Sequence, residues 1–130
     1  MKDFICGALA VLVGFASYLL GGFDLLLNAF AIIVILDTLS GMLKAWNDGN
    51  YESKKFRSGF IKKISYFIGV LLTVQIDRVI GNSGVLRDAV LTLFIANEGF
   101  SIIENLGAMG VKFPEVLTNA IKSLGENKQK

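Results

Sequence analysis

Four apolar runs, at residues 4–20, 25–43, 64–80 and 87–106, dominate this chain of 130 residues. A hydrocarbon core of about 30 Å is crossed by roughly 20 mostly apolar residues in helical form, so each run is long enough, or nearly so, to span a bilayer. Only Gly-Gly-Phe-Asp at 21–24 separates the first two, and Gly-Asn-Ser-Gly at 81–84 separates the last two. Turns that short force tight antiparallel hairpins. The chain is therefore predicted to be an all-α integral membrane protein. It should have about four transmembrane helices in two antiparallel hairpins, a basic cytoplasmic loop between them and a short amphipathic C-terminal helix, all in a single membrane domain over 1–130. Composition agrees: 53% hydrophobic residues, 18% charged and a mean hydropathy of +0.58 lie outside the range of soluble domains.

Basic residues orient the spans, because retained cytoplasmic loops are rich in Lys and Arg. Lys44, Lys54, Lys55, Arg57, Lys62 and Lys63 fall between the second and third runs; Lys112, Lys122, Lys128 and Lys130 follow the fourth, and Lys2 precedes the first. Both termini, the central loop and the tail at 107–130 are thus expected in the cytoplasm. Arg78 and Arg87, at the opposite ends of the helices, are partly offset by Asp77 and Asp88, and Asp77-Arg78 reads as a pair of interfacial charges. The N-terminal run has no small-x-small cleavage site before a soluble chain, so it is expected to stay as a membrane helix. Cys6, the single cysteine, excludes an internal disulfide and reads as a small packing residue.

The central loop has Trp46 and Tyr51 as interfacial anchors. Its basic group suits anionic headgroups, worth about 1 kcal/mol per basic residue near the surface. Nucleic acid is not an expected partner, since no stacking platform accompanies the charge. In the tail, Pro114-Glu115 starts a helix with Val116, Leu117, Ala120, Ile121 and Leu124 on one broad face and Gly125 as its stop. This helix should lie on the inner membrane surface or dock on the bundle.

Within the fourth run Asn97, Glu98, Ser101, Glu104 and Asn105 fall inside an arc of about 120° at helical spacing. A carboxylate in hydrocarbon is costly unless it is protonated, paired or wet. Either the stripe faces inward onto polar groups of the second and third spans, or it packs between protomers and becomes water-lined on assembly. The second span offers Asp37, Ser40, Gly41 and Lys44 on one face, with a lysine of the 54–63 group or water as the partner of Asp37. The third adds Tyr66, Thr73 and Asp77. Together Asn97, Glu98, Ser101, Glu104, Asn105, Asp37, Ser40, Thr73 and Asp77 form the candidate pore or interhelical stripe. In the first span Gly7, Ala10, Gly14, Ser17 and Gly21 recur at steps of three and four. Such a small-residue seam lets another helix approach closely, either the second span or another protomer.

The chain has no histidine, no Gly-rich phosphate loop, no metal-ligand cluster and no nucleophile beside a base. No catalytic residue, cofactor or metal is expected. Carboxylates alone could serve a proton pathway, which leaves a small ion or proton channel, or a transporter subunit, as one reading.

An ordered set of motifs resembles the toxin-secretion and phage-lysis holin family. It comprises Asp37-Thr38-Leu39-Ser40-Gly41 with Lys44-Ala45, Ser53-Lys54-Lys55 with Gly59 and Lys62-Lys63, and Asn97-Glu98-Gly99 with Ser101-Ile102, Glu104-Asn105, Gly110 and Pro114. The resemblance covers about residues 35–120. It implies a protein that collects in the bacterial cytoplasmic membrane, oligomerises and opens timed lesions for an endolysin, or in some clostridial relatives a toxin. Its implied partners are the lipid bilayer and further copies of itself, with endolysin as cargo that needs no direct contact. An antiholin is a further partner the resemblance leaves open, and an antiholin or membrane-scaffold role is the other alternative. A shortened product from an internal start is not expected, because the next methionine, Met42, would delete two spans. Relatives are often described with three spans; three would put the basic tail outside.

Overall fold

The computed structural model describes residues 1–50 and 52–126, so the readings of Tyr51 as an anchor and of Lys128 and Lys130 as tail charges lie outside the described residues. The described chain is helical, with α1 at Lys2–Leu20, α2 at Leu25–Asp48, α3 at Ser53–Ile80, α4 at Val85–Ala108 and α5 at Glu115–Glu126. The first four are long and apolar enough to cross a membrane. The fold is thus an all-α membrane protein, and the alternative of three spans is not favoured.

Two boundaries differ from the sequence reading. Expected to stop at residue 43, α2 runs to Asp48, and α3 begins at Ser53 rather than 64. Residues 44–48 carry no helix breaker before Gly49, residues 53–63 carry only Gly59, and a helix can leave the membrane without ending. The basic "loop" is thus mostly two helix ends joined at 49–52. Below, this is the basic end; the end holding turns 21–24 and 81–84 is the turn end.

Leu27 and Phe30 of α2, Tyr66, Val70 and Val74 of α3, and Leu91 and Ile95 of α4 form the core. Phe30 is fully buried at its centre, edge-on to Tyr66 at 6.2 Å, while Tyr66 stacks on Phe94 at 4.2 Å. Between helices already in lipid, this kind of packing is what remains to hold them together. α2 and α4 run in the same direction: hydrogen bonds link Asp24 to Arg87 near one end and Ser40 to Asn105 near the other, separations of 63 and 65 residues. The helices adjacent in sequence are therefore not the most closely packed ones. α4 is central, touching α2, α3 and α5.

The seam of α1 departs from one expectation. Positions 1–15 are exposed, and no described atom lies within 4 Å of a Cβ built on Gly7 or Gly14. α1 touches α3 through its last turns and does not pack its seam on α2. Cys6 is likewise exposed rather than packed. Gly21 has a separate task. It ends α1 at φ 80°, and a Cβ there would sit 2.8 Å from Arg87 Cδ, so both backbone and neighbour demand glycine.

Candidate functional site

Asp37 is buried on α2, one helical turn before Ser40, and Glu98 on α4 is completely buried. Lys63, near the first third of α3, reaches between them. Its Nζ donates to Asp37 Oδ2 at 2.8 Å and stands 3.2 Å from Glu98 Oε2. Lys62 Nζ lies 3.9 Å from Glu98 Oε1 and 5.5 Å from the Tyr66 ring centroid, close enough for a cation–π contact. Two carboxylates thus face two ammonium groups, and the cluster is charge-balanced. Among the described residues neither Glu98 oxygen has a hydrogen bond of good geometry; its ion pairs with Lys63 and Lys62 hold it.

Neutral groups complete the site. Asn105 Nδ2 donates to Ser40 Oγ at 2.9 Å and more weakly to Asp37 Oδ1 at 3.5 Å, and Ser40 Oγ donates back to the Asp37 carbonyl at 2.9 Å. A cavity of about 570 Å³ leads from the basic end, past Lys44, Asp48 and Lys55, to Asp37, Lys63, Ser101 and Asn105. Among the described residues no three acidic or cysteine side chains gather as metal ligands would.

The predicted stripe therefore divides. Glu98, Ser101 and Asn105 turn toward Asp37, Ser40 and Lys63, while Asn97 and Glu104, at the far edge of the same arc, are exposed. Thr73 does not join the cluster; its hydroxyl donates to the Val70 carbonyl of its own helix. Of the basic residues expected at the membrane surface, Lys54, Lys55 and Arg57 are exposed at the start of α3 and Lys44 is half-buried at the cavity. Lys63 is drawn inside instead, because it sits a full two turns closer to the bilayer and meets two acids there.

A second polar network, at the turn end, was not foreseen. Arg87 is buried and donates through Nη1 to Asp24 Oδ2 at 2.8 Å and through Nη2 to Asp24 Oδ1 at 3.0 Å. Nε reaches the Leu20 carbonyl at 2.6 Å, Nη2 also the Gly22 carbonyl at 2.9 Å, and Nη1 Asp88 at 3.0 Å. The planar fork suits this set of oxygens as no lysine would. Those hydrogen bonds from Arg87 hold the Asp24 carboxyl below its ordinary value, outweighing its partial burial.

Asp77, grouped with the stripe by sequence, belongs to this end. It is buried and accepts from the backbone N–H of Leu86 at 3.1 Å and of Arg87 at 2.9 Å, satisfying the free amides at the start of α4 from outside the helix. Asp77 is thus no plain interfacial charge. Arg78, beside it, lies over the Tyr18 ring at 4.0 Å and donates to the Tyr18 carbonyl. No local signal links Asp24 or Tyr18 to these arginines; only the short turns 21–24 and 81–84 hint that the two regions share an end.

Comparison with known proteins gives a consistent result. Residues 14–126 match the bacteriophage holin family. A protein of Bacillus phage phi105 named a probable holin is 36% identical over 124 residues, covering 95% of this chain and 86% of its own. An uncharacterized Listeria monocytogenes protein is 40% identical over 113 residues, covering 85% and 81%. One from Bacillus subtilis is 37% identical over 112 residues, covering 86% and 79%. No solved structure matches the chain.

Proposed function

Because the chain belongs to the bacteriophage holin family, we propose that it accumulates in the bacterial cytoplasmic membrane, oligomerises and, at a threshold, opens lesions through which an endolysin escapes. Its four apolar helices make it a multi-pass membrane protein of a pore-forming rather than enzymatic family. The basic end faces the cytoplasm with the N-terminus, as the Lys and Arg distribution favours, whereas α5, expected there as part of a cytoplasmic tail, folds back along α4.

One observation carries this reading: Glu98 is fully buried in an apolar helix and is held by Lys63 and Lys62 without a hydrogen bond. In a dry interior such a carboxylate stays ionised only while its counter-charges stay in place. The protomer with Asp37, Lys63 and Glu98 together is the closed unit, which can wait in the membrane. Separation of α3 from α2 and α4 would leave three charges demanding water, so the cluster favours two states, closed and dry or open and wet. The exposed faces of α1 and the Asn97–Glu104 edge of α4 are available for contact between protomers.

The cavity at the basic end favours a second reading, a narrow conduit for ions ending at Lys63. Induced expression in a bacterial membrane, following potential and the escape of a folded cytoplasmic enzyme, separates the two. Abrupt depolarisation with enzyme escape after a delay is the holin outcome. Depolarisation without escape gives the channel, and silence in both gives an antiholin or scaffold.

A further inference from the structure

The short helix α5 does not lie on the membrane surface. It folds back along α4: Ile121 Cδ1 comes within 3.3 Å of a Cβ position on Gly99, and Gly125 rests 3.6 Å, measured from its built Cβ, from Ala96 Cβ. Leu124 lines an apolar recess with Leu26, Ala29, Thr92 and Ile95, so α5 leans toward α2. Ala96 is the middle of the α4 span Val85–Ala108. At a rise of about 1.5 Å per residue it stands roughly 18 Å from either end, which is mid-bilayer. The tip of α5 is therefore at hydrocarbon depth.

The helix presents three faces at that depth. Thr118, Ile121 and Gly125 meet α4; Val116, Leu117, Ala120 and Leu124 form an apolar flank; Asn119, Lys122, Ser123 and Glu126 form a polar flank, all exposed. A helix end with unsatisfied carbonyls and bare charges persists at membrane depth only in protein or beside water. A single protomer covers the polar flank with nothing among the described residues. It lies on the side away from the recess that Leu124 shares with α2.

We propose that α5 is a re-entrant helix whose polar flank lines the water-filled lumen of the assembled pore, with α5 still docked on α4 when the pore is open. The inference rests on the pore-forming reading. Several protomers arranged with these flanks inward supply water to Lys122 and Glu126, while the apolar flank stays with lipid or α2.

The test uses the full chain with Cys6→Ser, reconstituted in phosphatidylethanolamine–phosphatidylglycerol vesicles loaded with a folded enzyme and a small dye. Ala96→Cys with Gly125→Cys places two Cβ atoms at a separation suited to a disulfide, which needs about 3.5–4.5 Å. The oxidised pair should release contents within about twofold of the reduced pair. If oxidation stops release, or if no disulfide forms, α5 is not docked in the open pore and the proposal is overturned. Lys122→Leu with Glu126→Leu should cut release at least fivefold; release equal to the parent or faster would place the flank in lipid and overturn the proposal as well. A parent that passes dye but no enzyme fails the lesion reading separately, and the variants are then read on dye alone. A parent that passes neither removes the lumen.

Discussion

Arg87 grips Asp24 through two parallel hydrogen bonds, 2.8 and 3.0 Å, across 63 residues of chain. The pair joins the α1–α2 turn to the start of α4, whose amides are already held by Asp77 of α3, so the four long helices share one polar joint at the turn end. Asp24→Asn keeps the cap on Leu27 N but loses the charge. It should lower stability in detergent by about 1.5–3 kcal/mol, the range for hydrogen bonds to charged groups, read as a shift in thermal unfolding.

The same pair has a pH signature. Arg87 holds the folded Asp24 carboxyl below its ordinary value of 3.8, so its contribution is fully present above that value and is lost as pH falls through the lower folded value. The facing charges are Arg87 and Asp88. The stability gap between the parent and Asp24→Asn should be constant from pH 7 to about pH 5 and close below about pH 4. A gap unchanged at pH 3 would detach the pair from stability.

Gly21 tests the joint without touching a charge. Its φ of 80° and the 2.8 Å approach of Arg87 Cδ both oppose a side chain, so Gly21→Ala should cost about 1–2 kcal/mol from the left-handed backbone, plus the displacement of Arg87. Gly7→Ala, in open space on the same helix, should cost no more than a few tenths and could stabilise α1. Equal melting of the two variants would show that Arg87 does not constrain Gly21.

What the sequence made legible, and what it did not, follows from the range of each signal. Helix spans could be read because hydropathy is local, and the inward half of the α4 stripe because periodicity fixes which residues share a face. Periodicity cannot say where on an arc the neighbour sits, and so Asn97 and Glu104 were grouped with Glu98 although they are exposed. Asp77 was misplaced for a related reason: a shared face does not mean a shared depth, and Asp77 lies three turns from Tyr66 along α3. The seam showed small residues but not their partner. Pairings such as Arg87 with Asp24 depend on tertiary register and leave no local trace.

The seam makes its own prediction. Gly14 is exposed and a Cβ built on it has no described neighbour within 4 Å, so the folded unit carrying Gly14→Leu should melt as the parent does. If the seam joins protomers, the bulk of leucine separates helices that approach closely only at small residues. Chemical crosslinking in membranes should then show smaller assemblies and a later onset of permeabilisation. Assemblies of parental size would take the seam out of oligomerisation.

Removal of Lys63 is the sharpest test of the central cluster. Lys63→Met leaves Asp37 and Glu98 facing each other, with only the more distant Lys62 as counter-charge. An uncompensated buried charge of this kind costs about 3–5 kcal/mol, so the variant should be poorly folded or open early. Glu98→Gln in the same chain removes the repulsion and should restore at least half of the loss, whereas Glu98→Gln alone should change stability little, since Lys63 keeps its 2.8 Å pairing with Asp37. Glu98→Leu goes further, replacing the group that demands water on opening, and should delay permeabilisation. The parent, Lys63→Met, Glu98→Gln and the chain carrying both substitutions form a double-mutant cycle. Thermal unfolding in detergent gives the coupling energy and the onset of enzyme escape gives its consequence for opening. Additive effects would mean that Lys63 and Glu98 act independently, and the closed unit would then need another lock.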